Sequence, residues 1–202
     1  MLDTTWEQRV VLNPCRWETY EALLRQHEDR SSPRFTFSEG MLEIMSPSAE
    51  HEELAHALET VVQAACERFE VPFRPLRSTT QRRSDLQKGA EPDASFMFGE
   101  VGRDPNVHAP DLAIEVEISR SALDKLAIFA ELGVSEVWRC SQAGVQLYRL
   151  QAGRYHAVDR SAFLPLTRDW LDERLVAKRS LDWLAWLREL RTELASLESS
   201  TS

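Results

Sequence analysis

The segment Asp111-Leu-Ala-Ile-Glu-Val-Glu-Ile118 sets acids against branched apolar residues in strict alternation. At the two-residue period of a strand, Asp111, Ala113, Glu115 and Glu117 share one face, and Leu112, Ile114, Val116 and Ile118 share the other. Neighbouring positions on such a face stand about 7 Å apart, so carboxylates that share it, Glu115 and Glu117 above all, repel one another. A solvated acidic face on an antiparallel strand is the bland account. Two features weigh against it: Ala113 leaves room between the acids, and no Lys, Arg or Thr shares the face to relieve the repulsion. Asp93 opens the preceding apolar stretch, and if the two strands pair it converges with Glu115 on one point. A divalent cation resolves such a cluster. Mg²⁺ takes hard oxygen ligands and keeps several waters, so two or three carboxylates suffice, and the bound ion activates water and polarises a phosphoryl group. Lys125 follows within a helical turn, where an ammonium group orients the water or neutralises developing phosphate charge.

Positioning these groups requires a sheet with helices packed on it. A helix is expected from Pro14 to His27, and a short hairpin from Phe35–Phe37 and Met41–Ile44 about the turn Ser38-Glu-Gly40. Ser46-Pro47-Ser48 signals a helix start. The apolar set Leu54, Leu58, Val61, Val62, Ala65, Phe69 continues it for about five turns, until Pro72 and Pro75. Ala94–Phe98 and Asp111–Ile118 read as strands, and Ser121–Leu132 as a helix stopped by Gly133. Strands follow near 136–139, 145–150 and 155–158, then a final helix from about Ser180 carrying Leu187, Leu190, Leu194 and Leu197. This leucine stripe and Trp183 and Trp186 read as packing residues, with a homodimer contact as the sharper option; two heptads are too few for a free coiled coil. The order of elements gives an α/β (α+β) class, a mixed β-sheet flanked by helices, in a single domain over 1–202. Its core spans about 35–160 and a C-terminal helical extension about 168–198.

The 202 residues suffice for one ordinary core, and 43% hydrophobic with 28% charged residues is globular composition. No run approaches the roughly 20 apolar residues of a membrane helix, and the N-terminus lacks a basic start with an apolar run; a cytoplasmic protein is expected. Cys15, Cys66 and Cys140 are isolated, which argues against a zinc ribbon or a disulfide framework. His51 and His56 are five apart, the wrong spacing for a two-histidine metal site on one helix face. No Ser-His-Asp order, phosphate loop or dinucleotide fingerprint is present. Glu52 and Glu53 suit the first turn of a helix, where carboxylates complement its dipole. The net charge of −9 counts against casual DNA binding but leaves room for an enzyme with a local basic groove. The one basic stretch holds Arg68, Arg74, Arg77, Arg82, Arg83 and Lys88. Leading directly into Asp93, it is expected to line one rim of the carboxylate cluster, Arg77, Arg82, Arg83 and Lys88 being the nucleic-acid contacts. A solvated loop or a charge-blunted edge strand is the alternative, of at least equal weight from composition alone.

In SPSAEH (46–51), RSTTQRRSDLQKGAEPD (77–93), PDLAIEVEISRS (110–121) and DKLAIFAELGVSEVWR (124–139), the chain resembles the Uma-type restriction endonucleases. They are a large bacterial family of the PD-(D/E)XK nuclease superfamily. The resemblance spans roughly Phe35 to Leu150, and its segments are specific in combination rather than singly. It implies a restriction-endonuclease-like core that cuts nucleic acid with Mg²⁺. On it Asp93 matches the aspartate of the first motif and Glu115 the acid of the second. The superfamily's usual lysine position is Glu117 here, and Lys125 looks like a lysine migrated to the following helix. Asp111 matches a second recurrent Pro-Asp pair. His51 matches a family histidine, with a helix-capping or supporting role.

The combined expectation is a metal-dependent endonuclease hydrolysing phosphodiester bonds in nucleic acid, with DNA as the polymer. Asp93 and Glu115 hold Mg²⁺ (or Mn²⁺), Glu117 is a third ligand or water acceptor, and Lys125 assists the attacking water. The alternative is a catalytically weak or inactive module that kept the nuclease fold for binding or regulation; the acidic charge and Glu117 favour it.

Overall fold

A computed structural model of the chain describes residues 7–28, 30, 32–99, 102–105 and 107–197. Its elements are β1 (Gln8–Leu12), α1 (Trp17–Gln26), β2 (Arg34–Ser38), β3 (Met41–Ser46), α2 (Ala49–Phe69), β4 (Phe73–Pro75), β5 (Gln81–Arg83) and β6 (Lys88–Ala90). They continue with β7 (Ala94–Phe98), β8 (Leu112–Glu117), α3 (Lys125–Leu132), β9 (Glu136–Ser141), β10 (Gly144–Gln151), β11 (Arg154–Val158), α4 (Arg168–Lys178) and α5 (Trp183–Ser196). Two sheets form. One runs β1-β3-β2-β6-β5 and is antiparallel throughout. The other runs β11-β10-β9-β8-β7-β4, with β8 and β9 its parallel pair. The mixed, helix-flanked sheet is the architecture expected from the order of elements.

The long helix α2 begins where Ser48 caps it, its hydroxyl accepting the His51 N–H at 3.2 Å, and ends at Glu70 in a left-handed conformation. Its stripe of Leu58, Val61, Val62 and Ala65 packs on Leu112, Ile114 and Val116 of β8. Each of these large aliphatic side chains contributes about 1.5–3 kcal/mol on burial. Trp186, Leu190 and Leu194 of α5 join the same core, so that stripe packs inside this chain. On the opposite face of β8, Ala113 meets Ile128, Phe129 and Leu132 of α3. The small residue between the acids is thus the seat of a helix.

The smaller sheet has two unlike faces. Phe35, Phe37 and Leu42 lie under Tyr20 and Leu24 of α1. There a Cβ on Gly89 would run into the Tyr20 ring, so β6 needs glycine at that crossing. Arg34, Thr36 and Glu43 alternate onto the other face and are buried.

Parallel strands need a crossover, and residues 118–135 with α3 supply it between β8 and β9. The crossover brings the N-terminus of α3 back over the C-terminal end of β8. Such ends are where open α/β sheets bind ligands. The helix expected from Ser121 begins at Lys125, because Asp124 caps it by accepting the Ala127 N–H at 3.2 Å and the Ser121 hydroxyl is engaged with Glu43. The strands β1, β4, β5 and β6 were not expected. Three of them are three residues long, too short to display a period.

Candidate active site

The strand β8 ends in Glu115-Val-Glu117, and the three residues go different ways. Glu115 lies on the α3 face and is only 6% exposed. The buried Lys125, in the first turn of α3, donates to its Oε1. No hydrogen bond reaches Oε2. Burial raises the Glu115 pKa above the ordinary carboxylate value, and the charges of Lys125, Arg34 and Arg9 only partly oppose that. Val116 turns inward to α2. Glu117 is half-buried, 3.7 Å from Arg139.

Asp93 sits one step before β7, whose Ala94 is paired with Ile114; the antiparallel ladder therefore sets Asp93 beside the Glu115 end of β8. Pro92 offers no N–H to extend that ladder. The Asp93 carboxylate takes over: Oδ2 accepts the Val116 N–H at 2.5 Å, while the Asp93 N–H donates to the Ile114 carbonyl at 3.0 Å. Its Oδ1 meets the guanidinium of Arg34, which also pairs with Glu52 at 2.7 Å.

Around this pair lies a buried charged shell. The His51 ring is fully buried, with Nε2 3.3 Å from Asp93 Oδ2 and 3.6 Å from Glu7 Oε1. Burial and the nearby Arg34 charge push its pKa down to about 4, so it is neutral at pH 7. Glu7 lies below the ordinary range: its burial acts upward, but the hydrogen bonds from the Ser119 hydroxyl and N–H and the charge of Arg9 prevail. Arg9 donates to Glu43 at 2.6 Å and to the Ser119 hydroxyl at 2.9 Å. Glu43 also accepts from the Ser121 hydroxyl at 2.9 Å and from Ala122 N–H at 2.7 Å, which ties the loop after β8 to the smaller sheet.

Sequence reasoning missed Glu7, Arg9, Arg34 and Glu43. The available signal was a charge inside an apolar run, and only Glu43, in Met41-Leu-Glu-Ile-Met45, shows it. For His51 a capping or a supporting role is expected: the cap is Ser48, which accepts the His51 N–H, and the His51 ring lies beside Asp93.

A cavity of about 430 Å³ opens over Glu115, Glu117 and Lys125, rimmed by Arg9, Arg120 and Arg139. Two larger hollows, one beside Phe73 and Phe98 and one beside Arg82 and Glu91, reach neither Glu115 nor Lys125. The expected rim of Arg77, Arg82, Arg83 and Lys88 is corrected by the strand period. On β5, Arg82 turns toward α1 and lies 3.5 Å from Glu21. Arg83 turns the other way and pairs with Asp85 at 2.6 Å. Lys88 is buried against Glu131 and Glu39. At Arg77 the backbone is left-handed, and its carbonyl accepts from the Ser95 hydroxyl at 2.8 Å. None of the four lines the cavity. Asp111 serves the strand start, accepting from Phe98 N–H at 2.8 Å and from Arg103 at 2.6 Å.

Carboxylate oxygens are the donors Mg²⁺ prefers, and Glu115 Oε2 and Glu7 Oε1 are buried without a hydrogen bond, while Asp93 Oδ1 is taken by Arg34. The donor chemistry therefore fits a divalent cation, with Arg34 competing for Asp93. No set of three His, Cys, Asp or Glu side chains disposed to hold a metal is formed among the described residues. No helix among them is long and apolar enough to cross a membrane.

No curated protein matches the chain. A solved structure described as "a putative nuclease belonging to DUF820 from Anabaena variabilis ATCC 29413" is similar to it over 81% of this chain and 93% of that one, at 17% identity and a TM-score of 0.49. The family Uma2, described as "Putative restriction endonuclease", matches residues 17–182, well beyond the motifs themselves. The chain belongs to the Uma2 family.

Proposed function

We propose that this protein is a divalent-metal-dependent endonuclease that hydrolyses phosphodiester bonds in nucleic acid, with DNA as its polymer and the cytoplasm as its place of action. The observation that carries the reading is the buried Glu115–Lys125 pair, with an uncommitted carboxylate oxygen, at the base of an arginine-rimmed cavity beside Asp93. Asp93 and Glu115 would hold Mg²⁺ (or Mn²⁺), which supplies a Lewis acid and a water of lowered pKa. Lys125, fixed by α3 against Glu115, orients the attacking water and offsets the charge that develops on the phosphoryl oxygens. Glu117, half-buried at the mouth, accepts a proton from that water. His51, neutral and packed against Asp93, keeps that carboxylate in place.

Titration calorimetry of Mg²⁺ and Mn²⁺ tests the metal half of the reading. Saturable binding by the parent protein that disappears in Asp93→Asn supports it, and equal binding by both overturns it. The Arg34 guanidinium on Asp93 favours a second reading, a nuclease-fold module that binds nucleic acid without cutting it. That reading expects no metal binding and metal-independent capture of nucleic acid.

A further inference from the structure

The cavity over Glu115 has three arginines, and they are not equivalent. Arg9 is spent: its guanidinium is divided among Glu43, Glu7 and Ser119. Arg120 is exposed and has no ion-pair partner among the described residues. Arg139 is held, yet its charge is only loosely met. It is the register partner of Glu115 on β9, so its side chain leaves the sheet on the same face, one strand over. Its guanidinium lies 5.4 Å from the centre of the Tyr148 ring and donates to the Tyr148 hydroxyl at 3.1 Å. Glu117 stands at 3.7 Å, too long for a hydrogen bond.

A planar guanidinium held by an aromatic ring, with donors to spare and lining a polar cavity, suits an oxyanion that presents two oxygens to its fork, as a phosphate does. We infer that Arg139, mounted on Tyr148, with Arg120 beside it, is the phosphate clamp of this site, gripping the nucleic-acid backbone next to the bond at Glu115 and Lys125. The inference rests on the hydrolase reading for its substrate. It replaces the β5–β6 basic residues as the electrostatic contact and gives a chain of net charge −9 a way to meet a polyanion: Arg120, with no ion-pair partner among the described residues, and Arg139, only loosely paired with Glu117, both line the cavity. Glu117 then holds Arg139 only until a phosphate displaces it.

The test is binding of a fluorescein-labelled, mixed-sequence DNA duplex in Ca²⁺, followed by anisotropy over a salt series. Relative to the parent, Arg139→Ala should bind about tenfold or more weakly. Its log Kd against log salt should be shallower by about 0.9, the loss of one phosphate contact. Arg139→Lys, which keeps the charge without the fork, should recover the slope but only part of the affinity. Tyr148→Phe should fall between the two, and Arg83→Ala should match the parent. Parental affinity and slope in Arg139→Ala, no binding by the parent, or a larger effect at Arg83 than at Arg139 overturns the clamp. If the parent leaves DNA uncut in Mg²⁺ while the Arg139 pattern holds, the hydrolase reading fails and the clamp stands as a binding site.

Discussion

Two neighbouring parallel strands each bury a glutamate, and the two are unlike. Glu136 opens β9 and is completely buried. One of its oxygens accepts the Trp138 indole N–H at 2.6 Å, and the other accepts Ala162 N–H at 2.7 Å. Glu115 lies near the far end of β8, beside a cavity, with one oxygen on Lys125 and one without a hydrogen bond. Glu136 is a strut that ties the 161–164 turn to the sheet. Glu115 keeps one buried oxygen that the fold has not satisfied, which is the condition of a group held ready for a ligand. Both are acids in apolar strands, and only the accounting of each oxygen separates them.

The contrast can be broken most sharply at Lys125. Lys125→Ala should lower the turnover of DNA cleavage by about 10²–10⁴ while Mg²⁺ affinity measured by calorimetry stays nearly parental, since an ammonium does not ligate a cation. A large loss of metal affinity would make the lysine a structural counter-charge for the acids instead. On stability the order reverses. Glu136→Leu leaves the buried Trp138 indole N–H unpaired and releases the 161–164 turn, and should cost about 1–3 kcal/mol in urea denaturation. The double change Glu115→Leu with Lys125→Met removes a whole buried pair and should be neutral or stabilising. If the double variant is destabilised as much as Glu136→Leu, Glu115 is a strut as well.

A comparable effect, on the order of 3 kcal/mol, is expected from His51. Its folded pKa of about 4 lies below the ordinary 6.5, so the unfolded chain takes up the proton first. In metal-free buffer the parent should lose stability relative to His51→Gln as the pH falls from 6.5 to 4. A difference that stays flat across that window would mean the ring is not held neutral against Asp93. Glu115 works in the opposite sense. Its folded pKa is raised, so its share of stability is present below the unfolded value of 4.5 and is lost as the pH rises. The smallest expected effect is at Arg83, exposed and paired with exposed Asp85; Arg83→Ala should leave melting temperature and DNA binding unchanged.

Much of this was legible in the chain. The alternation of 111–118, the capped stripe of α2 and the 35–44 hairpin are local periodic signals, and each is present with nearly the expected bounds. Asp93, Glu115 and Lys125 were named, and the crossover brings Lys125 onto Glu115. The shell was not legible, because its partners are far apart in sequence. Arg9 reaches Ser119 across 110 residues, and Arg34 reaches Asp93 from the other sheet. No local pattern encodes such pairs. The basic stretch misled because nearness along the chain was taken for nearness in space. A strand sends Arg82 and Arg83 to opposite faces, and helices α1 and α3 supply acids to neighbours on both.

In the proposed function Asp93 and Glu115 form a metal-dependent phosphodiester-cleaving centre. Its most direct test is a DNA cleavage time course with the parent and Glu115→Gln, in Mg²⁺, Mn²⁺, Ca²⁺ and chelator, the folding of both proteins checked by melting. The account predicts cutting by the parent in Mg²⁺ or Mn²⁺ alone, reduced about 10³-fold or more in a folded Glu115→Gln. Cleavage that survives chelation, cleavage equal in the two proteins, or a folded, metal-loaded parent that leaves DNA intact would contradict it.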